Sequence, residues 1–95
     1  MTLYSKETQL RITYDHIADA VMIYLVPIGP GEAVGADFCF PEQMKRKSNL
    51  NLDFNADDQL IGIEILYASR VLPPQVLREA EQIGNRSRQE TLPEE

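Results

Sequence analysis

Ninety-five residues, 43% hydrophobic and 25% charged, are enough for one globular domain with a modest core; with 7% aromatics and no tryptophan, that core must be mostly aliphatic. The formal net charge of −6 argues against contact with DNA or RNA, whose phosphates are gripped by Lys and Arg, and suits a basic partner. The single cysteine, Cys39, excludes an internal disulfide and fits a reducing cytosol. With no signal-like apolar segment at the start and no apolar run near the roughly 20 residues of a membrane span, a cytoplasmic protein is expected.

Residues 1–9 have no periodicity and read as a loose arm. Leu10, Ile12 and Tyr14 then alternate with Arg11, Thr13 and Asp15, which predicts a strand with one wet face. Asp15 and Asp19 bracket a tight turn. Residues 20–26 are apolar on both faces of a predicted strand, with Val21, Ile23 and Leu25 on one side and Ala20, Met22, Tyr24 and Val26 on the other, so burial on both sides is expected. Pro27-Ile28-Gly29-Pro30-Gly31 is turn punctuation. No helix and no Lys-Ser/Thr pair follows these glycines, so they do not form a phosphate-cradling loop.

Residues 33–40 predict a further strand with Val34, Ala36, Phe38 and Phe40 on one face, ended by Pro41. Residues 42–48 are polar and carry Lys45-Arg46-Lys47, read as a solvated loop. Residues 49–66 are the clearest element: Leu50, Leu52 and Phe54 alternate with Asn49, Asn51 and Asp53, and Ile61, Ile63 and Ile65 alternate with Leu60, Gly62, Glu64 and Leu66. Asn55, Ala56, Asp57 and Asp58 supply the turn of a hairpin. Leu52, Phe54, Ile61, Ile63 and Ile65 are the candidate core. Pro73-Pro74 opens a helix expected over residues 74–83, with Val76, Leu77 and Ala80 against the sheet and Gly84-Asn85 as its C-cap. Residues 85–95 read as a disordered tail, which leaves residues 10–84 as one domain.

Three pieces together carry a resemblance: Ile12-Thr13-Tyr14-Asp15 with Ala18-Asp19-Ala20; Leu52-Asp53-Phe54-Asn55 with Leu60-Ile61-Gly62-Ile63-Glu64-Ile65-Leu66; and Ala68-Ser69. Over residues 10–72 the chain resembles the small bacterial and archaeal domain of unknown function 2283, also called YuzE-like. It departs from that pattern at Asp57-Asp58-Gln59, where an acidic residue plus glycine is usual, and its segment before Asn49 is longer and more basic. The resemblance implies a small sheet with a C-terminal helix. It implies no established activity, and it brings no catalytic residues. Companionship with small toxin-like proteins, and hence antitoxin character, is a further implication.

The expected fold is α+β: an antiparallel sheet of four to five strands with one C-terminal helix. The leading function is a non-enzymatic interaction module that binds a basic protein through Asp15, Asp19, Asp53, Asp57, Asp58 and Glu64. Glu64 interrupts an apolar strand; it is expected to face solvent or form an interface ion pair, and if buried it would need a partner such as Lys45, Arg46 or Arg70. The rival is a small metal-binding or hydrolytic domain built from Asp15, Asp53 and Glu64, since hard cations take several carboxylates. The stretch from Asp53 to Asp58 lacks the order of a calcium loop, and Cys39 with His16 lacks any nucleophile signature. No catalytic residue and no cofactor is expected. A two-fold homodimer is expected, burying the second sheet face or pairing an edge strand.

Overall fold

The computed structural model describes residues 10–44 and 47–84; the N-terminal arm, Lys45, Arg46 and the C-terminal tail lie outside them. Six strands form one sheet: β1 (Arg11–Asp15), β2 (Ala20–Tyr24), β3 (Gly35–Cys39), β4 (Leu50–Phe54), β5 (Leu60–Leu66) and β6 (Glu81–Gln82). Their order across the sheet is β3-β4-β5-β2-β1-β6. Among the described residues there is one α-helix, α1 (Pro74–Glu79), and short 3-10 turns at Glu42–Met44 and Ala68–Arg70. No helix among them is long and apolar enough to cross a membrane.

Two polar turns set the register. Asp15 Oδ1 accepts the amides of Ile17 (3.0 Å) and Ala18 (3.2 Å), and Asp19 takes the left-handed conformation (φ 56°), so β2 folds back on β1. Asn55 Oδ1 accepts the amides of Asp57 (2.9 Å) and Gln59 (3.0 Å), with Asp58 left-handed (φ 61°), which closes the β4–β5 hairpin. Cross-strand pairs Tyr14–Val21, Ile23–Ile63, Ile65–Leu50 and Ile63–Leu52 place the aliphatic row on one face. There Val21, Ile65 and Ala68 are buried together, with Val71, Leu72 and Leu77 of the C-terminal segment packed over them.

The sheet departs from the predicted form in three ways. It is mixed and six-stranded, because β6 pairs parallel with β1, setting Thr13 beside Glu81 and Tyr14 beside Gln82. The helix stops at Glu79, not Ile83. The outer side of β1 offers unpaired peptide groups, and residues 81–83 satisfy them in place of extending the helix; Ile83 N–H donates to the Tyr14 carbonyl (3.1 Å). Gln82 Nε2 covers two terminal carbonyls, those of Leu77 and Ala80 (both 2.8 Å), so Gly84-Asn85 is not the C-cap.

The third departure is a register shift at Asp53/Phe54, where Asp53 opposes Gly62 but Phe54 opposes Leu60. This bulge takes Ile61 out of the Ile63–Ile65 row. Ile61 is still buried (5% exposed), but beside Val26, Pro27 and Val34 of the β2–β3 connection.

Candidate functional site

The second face of the sheet carries the chemistry. Thr13, Met22, Glu64, Asn51 and Phe38 form one cross-strand row, and Arg11, Tyr24, Gly62, Asp53 and Ala36 form the next. Period-two alternation puts both rows on the face opposite the aliphatic core. Gly62 keeps this face low. An added Cβ would meet Met22 Cε at 2.6 Å and Ile28 Cδ1 at 3.1 Å, so the loop after β2 can fold over the strand only where no side chain stands.

A shallow groove of about 290 Å³ opens here, lined by Thr13, Asp15, Met22, Tyr24, Asp53 and Glu64 among others, and no Lys or Arg among the described residues lines it. Ile83 closes one side and Thr13 is almost fully buried (2% exposed), so the β2 face predicted to be buried is half-covered by its own chain. The three carboxylates of the metal or hydrolytic alternative thus share one groove. Among the described residues, however, no three His, Cys, Asp or Glu side chains come close enough to hold a metal ion.

Beside the groove, Asn51 Oδ1 is buried with no partner among the described residues, while its amide nitrogen reaches Asp53 Oδ1 at 3.5 Å. Asn51 stands directly across from Glu64. No ion pair to Glu64 occurs among the described residues. Arg70, one of the three residues considered as a partner for a buried Glu64, lies over the Tyr67 ring, 4.8 Å from its centre. At the margin, Arg11 is committed to Glu81 through two bonds of 2.9 and 3.2 Å and stacks over Tyr24 at 5.2 Å.

The six acidic residues read from the sequence therefore separate. Asp53 and Glu64 face the groove. Asp15 lines it too, but its Oδ1 is used by its own turn. Asp57 and Asp58 are exposed at the hairpin tip, where their backbone serves the turn. Asp19 points elsewhere. It accepts Tyr14 Oη (2.9 Å), the Ser69 amide (2.9 Å) and the Ser69 hydroxyl (2.7 Å), tying the β1–β2 turn to the segment after β5. Burial acts to raise the Asp19 pKa, but the bonds from Ser69 and Tyr14 and the nearby Arg70 charge outweigh it and hold the carboxyl below its ordinary value.

Two groups escaped the sequence reading. Asn51 was visible only as one polar residue of an alternating strand. The edge position of β3, which leaves Phe38 and Phe40 exposed (63% and 72%), has no local signal. Cys39 and His16 do not meet, since β4, β5 and β2 lie between β3 and the β1 turn. Of the basic run, Lys47 borders a separate groove with Phe40 and Arg70, and its two neighbours lie outside the described residues.

The sequence profile of the family described as "Protein of unknown function (DUF2283)" matches residues 11–69. No curated protein and no solved structure matches the chain.

Proposed function

This chain belongs to the family described as Protein of unknown function (DUF2283), and, since that description carries no activity, we propose that it is a non-enzymatic interaction module of the cytoplasm that receives a basic protein. The observation that supports this reading is the acidic groove: Asp15, Asp53 and Glu64 line it, and no Lys or Arg among the described residues does; the buried Asn51 Oδ1, across from Glu64, stands beside it. A carboxylate accepts and does not donate when ionised, so the matching ligand groups are ammonium or guanidinium donors. The free thiol of Cys39 supports a reducing compartment. In the antitoxin-like form of the proposal, the basic partner is a toxin-like protein encoded beside this one.

The test is stopped-flow association with the product of the adjacent gene at 0.1 and 1 M salt. Screening shortens from about 10 Å to about 3 Å over that range, so the association rate should fall steeply. Asp53→Asn with Glu64→Gln should lower it further without unfolding the domain. A rate indifferent to both changes overturns the proposal.

A further inference from the structure

Among the described residues, β3 forms one edge of the sheet, with β4 as its neighbour. Natural sheets blunt such edges with lysine, proline or a bulge. The five residues Gly35-Ala36-Asp37-Phe38-Cys39 contain none of these. Val34, Phe38 and Phe40 are instead left exposed along the edge, and scattered single hydrophobes are ordinary where a contiguous row is not. Within the strand itself the charge is negative, while Lys47 and Arg70 lie beside Phe40 beyond its end. From Ile12 to Met44 the sequence contains no lysine or arginine, and Asp37 is the one charge within β3.

We propose that a strand of the basic partner adds to this edge, with apolar side chains beside Phe38 and basic side chains beside Asp37. The inference rests on the reading that the domain receives a basic protein, and adds where that protein's backbone sits. Peptide groups along an edge strand supply the backbone pairing, and alternate side chains supply the selectivity. Phe38 opposes Asn51, which opposes Glu64, so an added strand extends the same face that holds the acidic groove. Asp37 opposes Leu52 on the other face, and a basic side chain of the added strand would stand beside it. A second copy of this chain fits less well. Two β3 strands paired antiparallel about their midpoint would set Asp37 against Asp37, between chains of net charge −6, and opposed like charges destabilise.

The test uses the full chain and three blocked hexapeptides: alternating lysine and valine, the same peptide N-methylated at every residue, and alternating glutamate and valine. Binding is read by titration, and amide exchange is read at residues 35–39. The lysine peptide should bind and slow exchange at those amides. Backbone methylation, which keeps the charge but removes the donors, should weaken binding at least tenfold, as should the glutamate replacement. Asp37→Lys, at an exposed position, should reverse the charge preference while circular dichroism stays unchanged. Equal binding of the methylated peptide overturns strand addition. If no peptide binds, yet the whole basic partner still associates in a way that Asp53→Asn with Glu64→Gln slows, strand addition falls and the interaction reading stands. Light scattering that shows a dimer, with the β3 amides already protected in the free protein, overturns the proposal in favour of a second copy.

Discussion

Ser69 binds Asp19 twice, by its amide at 2.9 Å and its hydroxyl at 2.7 Å, across fifty positions of sequence. The Ala68 amide adds a bond to the Asp19 carbonyl (2.8 Å), and Tyr14 donates to the same carboxylate. One left-handed aspartate thereby fastens the β1–β2 turn to the chain that covers the core. Charge-assisted bonds of this kind contribute about 1.5–3 kcal/mol each when a partner is removed.

Asp19→Asn should therefore destabilise the fold, and the loss should depend on pH in a definite sense. The folded-state pKa of Asp19 lies below its unfolded value. Its stabilisation is then fully present above the unfolded value, near pH 4, and disappears as pH falls through the folded one. Urea unfolding of both proteins should show a constant difference from pH 5 to 8 that shrinks below about pH 4. A difference that persists unchanged to pH 2 would mean the carboxylate charge is not what matters.

Ile65→Ala should cost about 2–5 kcal/mol, the transfer and cavity terms of a buried aliphatic side chain beside Val21 and Ala68. Ile63→Ala should cost less, because Ile63 is only half-buried. Chemical denaturation ranks the two, and the opposite order would misplace the centre of the core.

Gly84→Ala should detach the last described turn from β1. A Cβ there would stand 2.7 Å from Asp15 Oδ1 and 3.0 Å from His16 Nδ1, and Asp15 cannot easily yield because its oxygen holds the turn. Crowding of this size costs about 1–3 kcal/mol. Hydrogen exchange should speed up at the Ile83 amide and leave β4 and β5 untouched; uniform loss of protection would argue against a local role.

Asp57→Asn with Asp58→Asn should leave the hairpin intact, since asparagine also tolerates the left-handed conformation of Asp58. The pair lies at the tip, away from the groove, so its effect on partner association should be smaller than that of Asp53→Asn with Glu64→Gln. Association rates at low salt separate them.

The hairpin of β4 and β5 was legible because local alternation and turn chemistry agree there; Leu52 opposes Ile63 and Leu50 opposes Ile65 as the pattern requires. What the sequence hid depends on distant neighbours. β6 is two residues long and exists because β1 has a vacant side, which no local propensity announces. The bulge that displaces Ile61 interrupts an alternation that reads as unbroken. Asp19 and Asp15 look alike as turn acids, yet only one reaches Ser69, a difference set by the return of the chain after β5. For the same reason the acidic set could be named from sequence but not divided.

The parallel pairing of Glu81 and Gln82 with Thr13 and Tyr14 has a practical side. Both ends of the described chain leave the sheet at the β1–β6 side, β1 four and β6 five inter-strand steps from β3. At about 4.8 Å per step, that is about 19–24 Å. A dye or a surface tether attached at the first or last described residues is therefore carried on the far margin, and the domain can be immobilised with its β3 margin facing solution.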